Sequence, residues 1–191
     1  MTAQPDRSYA PAHRTRDSSL SAVLVPVAVG SAVAIALGVY GRLHEPTGLA
    51  VSVAGFSGAQ PVKAWLTTGV FLFALVQLGT ALAMWGKLPV AVPRAPALHR
   101  WSGRVAVLLA VPVMVHCLYA LGYQSATPRV LVHSFLGCFF FGAFTAKMLL
   151  LTRRGVPGWA LPVIGGLVFA GLVGLWLTSS LWFFTTIGLT R

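Results

Sequence analysis

The sequence predicts an all-α integral membrane protein: a bundle of five transmembrane helices with its N-terminus inside and its C-terminus outside. Three observations carry that prediction. Of the 191 residues 57% are hydrophobic and 9% charged, with a mean hydropathy of +0.80, which is not the composition of a soluble domain. Five apolar runs are each long enough to cross a hydrocarbon core of ~30 Å at ~1.5 Å per residue. The Lys and Arg residues collect at the ends of those runs, in alternate connections.

Residues 1–18 (MTAQPDRSYAPAHRTRDS) carry three Arg, two Asp and two Pro without apolar periodicity, so they are expected to form a disordered cytoplasmic tail. Residues 19–191 then make a single five-helix domain. Its first helix is predicted over Ser19–Tyr40, 22 residues without a charge. That run exceeds the about 7 to 15 residues of a signal-peptide core and reads as a retained span. The other helices are predicted over Trp65–Trp85, Ser102–Gly122, Pro128–Leu151 and Trp159–Ile187. Trp65, Trp85, Trp101, Trp159 and Trp182 fall at or near run ends, where an amphipathic ring prefers the headgroup level.

Orientation follows from the basic residues. The tail (Arg7, Arg14, Arg16), the second connection (Lys87, Arg94, Arg100, with Arg104 just inside the helix) and the fourth (Lys147, Arg153, Arg154) are expected on the cytoplasmic side of the cell membrane. The alternate connections hold only Arg42 with Lys63, or Arg129. No internal repeat is present, and five helices exclude a simple inverted repeat, which disfavours a transporter. Ala22, Pro26, Gly30, Ala34 and Gly38 in the first helix, and Ser134, Cys138, Gly142 and Ala146 in the fourth, recur every four residues. Such stripes let helix backbones approach closely.

The net charge of +11 comes from fourteen Lys and Arg against Asp6, Asp17 and Glu45, but it forms no basic stripe, so nucleic acid is not an expected partner. The chain lacks GxGxxG, GxxxxGK[ST], HExxH and any carboxylate pair in its apolar part. Chemistry within it must use His, Cys, Tyr and one Glu.

His116 in the third helix and His133 in the fourth stand out, because an ionisable group inside a membrane span is a functional candidate. The two helices form a hairpin whose turn is Tyr123–Thr127. Each His lies six residues from its helix end, ~9 Å deep at ~1.5 Å per residue, so the two are level in the outer half of the bilayer. Level imidazoles on different helices are what axial coordination of haem b needs. Gly137 leaves room for a flat macrocycle one turn from His133. Arg129 is a candidate partner of a propionate, with Tyr119 or Tyr123 as further donors. Directly packed helices lie only about 8 to 10 Å apart. A haem therefore requires the hairpin to be wedged open, or the two helices not to be neighbours. The other reading has both histidines hydrogen-bonding across neighbouring helices.

His99 lies 17 residues before His116, ~25 Å along a helix, and cannot share that haem. It reads as an interfacial anchor, with a second haem site as the alternative. His44 beside Glu45 suggests a proton-passing pair or a solvated salt contact in the outer connection. Cys117 and Cys138 differ in depth by about six residues in the hairpin, ~9 Å, too far for a disulfide.

The blocks LHRWSGRVAVLLAVPVMVHCLYALGY, RVLVHSFLGCFFFGAFTAKMLL and PGWALPVIGGLVFAGLVGLWLTSSLWFF are similar to an uncharacterised family of small bacterial multi-pass membrane proteins, over about residues 63–184. More distantly, HRWSGR opening a helix that carries a later His, followed by a His on another helix, resembles ferric-reductase-like transmembrane b-type cytochromes. That resemblance implies bis-His haem and electron transfer, carried onto His116 and His133 only. The chain departs from those proteins in lacking two His pairs and a flavin or nicotinamide domain. The expectation is an oxidoreductase component passing electrons from a quinol or other membrane donor to an extracytoplasmic acceptor protein. The alternative is a noncatalytic membrane subunit or assembly partner without cofactor, seated in a complex through its small-residue stripes.

Overall fold

The structure, a computed structural model, describes residues 14–48 and 58–189, so residues 1–13 of the expected tail lie outside the described residues. The described residues are helical with no strand: α1 (Arg14–Leu43), α2 (Ala59–Met84), α3 (Ala95–Val115), α4 (Pro128–Leu151), α5 (Ala160–Trp176) and α6 (Trp182–Thr186). α3 runs on into a π-helical stretch, His116–Leu121, and α5 reaches α6 through a second one, Leu177–Leu181. Counted as continuous rods, 5 helices among the described residues are long and apolar enough to cross a membrane.

Three helices start earlier than their apolar runs. α1 already begins at Arg14, α2 at Ala59 and α3 at Ala95. Pro61 and Pro96 sit in first turns, where a missing N–H removes no intrahelical bond, so the polar lead-in residues join the helices. α4 starts where expected. Thr127 caps it, its Oγ1 accepting from the backbone N–H of Val130 at 3.3 Å.

Neighbours in sequence are not always neighbours in space. α1 packs chiefly on α4, α2 on α3, and α5 on α4 and α2, so α3 and α4 share no substantial contact despite the short turn between them. The α1–α4 contact is the closest. A Cβ placed on Gly30 would lie 2.5 Å from the Gly142 carbonyl oxygen and 2.8 Å from Ala146 Cβ; one on Gly142 would meet Gly30 O at 2.5 Å. The two small-residue stripes therefore face each other within the chain. This removes the feature that favoured a partner subunit docked on them.

Apolar cores fill the remaining seams: Val70, Ala74, Phe140 and Leu172 join α2, α4 and α5, and Ala143, Ala146, Leu150 and Ile164 join α4 and α5. Leu24, Ile35, Leu72 and Leu108 are 57–71% exposed, a surface suited to lipid. Between α2 and α3 the cement is polar. The Gln77 amide donates to the His99 carbonyl and to Ser102 Oγ (2.7 Å), and Thr80 Oγ1 lies 2.9 Å from His99 Nδ1. Gly103 leaves just enough room for the Gln77 amide, which would be 3.3 Å from a Cβ there.

Candidate functional site

Because α3 and α4 do not close on each other, the end of the bundle carrying their turn holds a cavity of about 340 Å³, within the range of ligand pockets. All five rods reach it, through Leu37, Lys63, Cys117, His133 and Thr178 among others. A second space of about 70 Å³ shares Met114, Cys117, His133 and Phe141 with it and continues to Val70 and Leu172.

The turn is built to keep that end in place. Gly122 has φ +68, and a Cβ there would come 3.0 Å from the Gly41 carbonyl, so glycine is required on both counts. Tyr123 N donates to Gly41 O at 2.6 Å, tying α1 to the turn. Ser134 Oγ accepts from Gln124 N (3.2 Å) and donates to Gln124 O (3.0 Å). The carbonyls of Tyr119 and Ala120, at the end of the first π-helical stretch, accept from the backbone N–H groups of Thr47 and Gly48 at 3.3 and 3.2 Å.

The second π-helical stretch coincides with Thr178-Ser179-Ser180. Thr178 and Ser179 donate back to Gly174 O and Leu175 O, both at 2.7 Å, competing with backbone donors for those carbonyls. Ser180, fully buried, instead donates to Ala64 O on α2 at 3.0 Å. This widened turn presents Thr178 to α4.

His133 is the best-organised group in the cavity. Its Nδ1 lies 3.0 Å from Thr178 Oγ1. With the Thr178 hydroxyl hydrogen directed to the nearest carbonyl, Gly174 O, Thr178 Oγ1 is left to accept from His133 Nδ1–H. That tautomer leaves Nε2 as a free lone pair, the arrangement by which a second group orients a metal-ligating imidazole. One turn away, Arg129 donates to the Thr178 carbonyl at 2.6 Å, with its guanidinium carbon 3.8 Å from the centre of the Trp182 ring. Gly137 also lines the cavity, with nothing within 4 Å of where its Cβ would be.

The other candidates stand elsewhere. His116 opens the first π-helical stretch half-buried, outside the cavity wall; its backbone N–H reaches Pro112 O and Val113 O, but its ring makes no hydrogen bond among the described residues. Tyr119 is exposed outside the cavity; its ring stacks on His44 (5.0 Å between centroids), whose Nε2 is 3.1 Å from the Tyr119 carbonyl. His44 thus braces the α1 end against the π-helical stretch. His99 lies at the far end of α3 in the Gln77–Thr80 network and not at the cavity. Cys117 and Cys138 are free thiols in the cavity wall. Among the described residues no group of three or more His, Cys, Asp or Glu is gathered as a metal site.

Among the wall residues not read as site residues from sequence are Lys63 and Thr178. Lys63 looked like a connection residue because its helix was expected to start two residues later. The signals that locate it are Pro61, a helix-opening residue, for Lys63, and the run of three hydroxyls for Thr178. Lys63 stands within electrostatic reach of His116, Cys117 and His133.

A family profile matches residues 23–191, nearly the whole chain. The chain belongs to the family of unknown function DUF6529. No curated protein and no solved structure matches the chain. The membership fits the uncharacterised-family likeness; the cytochrome likeness of the His-bearing blocks gains nothing from these comparisons.

Proposed function

We propose that this DUF6529 protein is a membrane electron-transfer component whose cavity at the α3–α4 turn would hold haem b, with His133 Nε2 as the atom that would bind its iron. The observation that carries the reading is the 3.0 Å contact of the Thr178 hydroxyl with His133 Nδ1, which orients the ring in a cavity among the apolar helices and supports Nε2 as the free ring nitrogen. Spread helices, an aromatic wall at Phe141 and open space at Gly137 fit a flat apolar ring. Arg129 fits a propionate. His116 does not fit as second ligand in this arrangement, since it lies outside the wall, so the group is held through one histidine.

Bound there, haem supplies a one-electron couple. The residues do the rest: Thr178 keeps Nε2 unprotonated, Trp182 and the Thr178 carbonyl hold Arg129, and the apolar wall limits water. A quinol is the donor class that a bilayer supplies, and an acceptor protein meets the rim. The test is an oxidised and dithionite-reduced spectrum with a pyridine haemochrome assay on detergent-purified protein produced with ample haem. The expected result is about one haem per chain, lost in His133→Ala and retained in His116→Ala. A monodisperse wild-type sample without haem ends the proposal.

A further inference from the structure

The cavity has a charge problem that haem ligation alone does not address. Lys63 and Arg129 both line it, and the His133 ring feels both. No Asp or Glu lines the wall; the only acid beyond the tail is Glu45, in the connection after α1. Among the described residues Arg129 has only neutral partners, the Thr178 carbonyl and the Trp182 ring. Half-buried Lys63 has no side-chain hydrogen bond or ion pair among the described residues. Two cations in a membrane-span cavity without a counter-charge are costly unless something anionic joins them.

The rest of the wall says what kind of anion. Beside the cations are polar groups of Gln60, Tyr123 and Gln124, while Leu37, Met114 and Phe141 make an apolar surface that the second space extends toward Val70 and Leu172. A small inorganic anion would leave that surface unused. An uncharged lipid tail would leave the cations unpaired.

We propose that the cavity binds a carboxylate-bearing amphiphile, its carboxylate between Lys63 and Arg129 and its apolar body along Met114 and Phe141. The chemistry has two sources, a fatty acid or the propionates of a porphyrin. The site shares its cavity with the haem reading but does not depend on iron or on His133. Arg129 offers the planar fork that pairs with a carboxylate, and Lys63 adds a mobile point charge opposite it.

The experiment uses the full chain in nanodiscs of zwitterionic phosphatidylcholine, so that the bilayer supplies no competing anionic lipid. Two probes are titrated by fluorescence: cis-parinaric acid against its methyl ester, and iron-free protoporphyrin IX against its dimethyl ester. Removing the iron removes any contribution of His133 ligation. At least one acid is expected to bind about tenfold or more tightly than its ester, as one charge-assisted pair warrants. Lys63→Gln and Arg129→Gln should each erase most of that preference, and Lys63→Arg should restore it. Which acid prefers the site identifies the source. Esters binding as well as acids, neither acid binding, or a preference that survives both Gln variants would overturn the proposal. Absence of haem with the acid preference intact ends only the haem reading; haem uptake with no acid preference ends only this one.

Discussion

Gly142→Ala is the smallest change with a large expected effect. The added methyl would lie 2.5 Å from Gly30 O and 2.7 Å from Ala34 Cβ, short of the 3.4 Å at which ordinary contact begins by 0.9 and 0.7 Å. Neither obstacle is the far end of a flexible side chain, so α1 and α4 must separate. The shift reaches beyond one pair, since Gly30 faces Ala146 in the same seam. Overpacking of this kind costs about 1–3 kcal/mol, roughly 5- to 150-fold in the folding equilibrium. The measurement is reversible SDS unfolding in mixed micelles, followed by tryptophan fluorescence. Gly165→Ala is the reference, because nothing lies within 4 Å of a Cβ there. Free of any clash, it should be neutral or gain up to about 1 kcal/mol, because alanine suits a helix interior better than glycine. If Gly142→Ala unfolds at the same SDS fraction as Gly165→Ala, the α1–α4 seam is not packed as described.

Thr178→Val keeps the shape beside His133 but removes its acceptor; haem affinity should fall about 10- to 100-fold, read by haem transfer to apomyoglobin. Gln77→Leu cuts the bonds to the His99 carbonyl and Ser102 and should cost about 0.6–1.7 kcal/mol in the same unfolding assay, without changing the haem spectrum. Trp182→Leu removes the ring 3.8 Å from the Arg129 guanidinium; the acid-over-ester preference should weaken but persist, because Thr178 O still holds Arg129.

The helix count was legible because each span is an apolar run bounded by charge, and the Gly30 and Gly142 stripes were legible because close approach demands small residues at a four-residue spacing. Helix starts were less so. Polar first turns such as Ala59–Lys63 look like connection on a hydropathy scale, although Pro61 suits a first turn. The candidate site divides in the same way. Counting from the turn gives the depth of His116 and His133, but depth carries no information about azimuth, and each residue turns a helix by roughly 100°. Cys117 is on the wall while its neighbour His116 is not, and a π-helical stretch begins at that position. Sequence offered the choice between a wedged hairpin and helices that are not neighbours. The contacts of α1 with α4 and of α2 with α3 correspond to the second.

The pairing of α1 with α4 also bears on how the chain is made. Synthesis delivers α1 first, yet the surface that receives Gly30 and Ala34 is more than a hundred residues downstream. α1 therefore has no α4 face to pack on while α2 and α3 are being made. It can wait because its backbone hydrogen bonds are satisfied within itself, and Pro26 interrupts them only once. A ribosome that stops before α4 leaves behind a helix whose glycine-lined face is open to any other small-residue face in the same membrane. Quality control of this protein is thus expected to act on chains truncated within that interval.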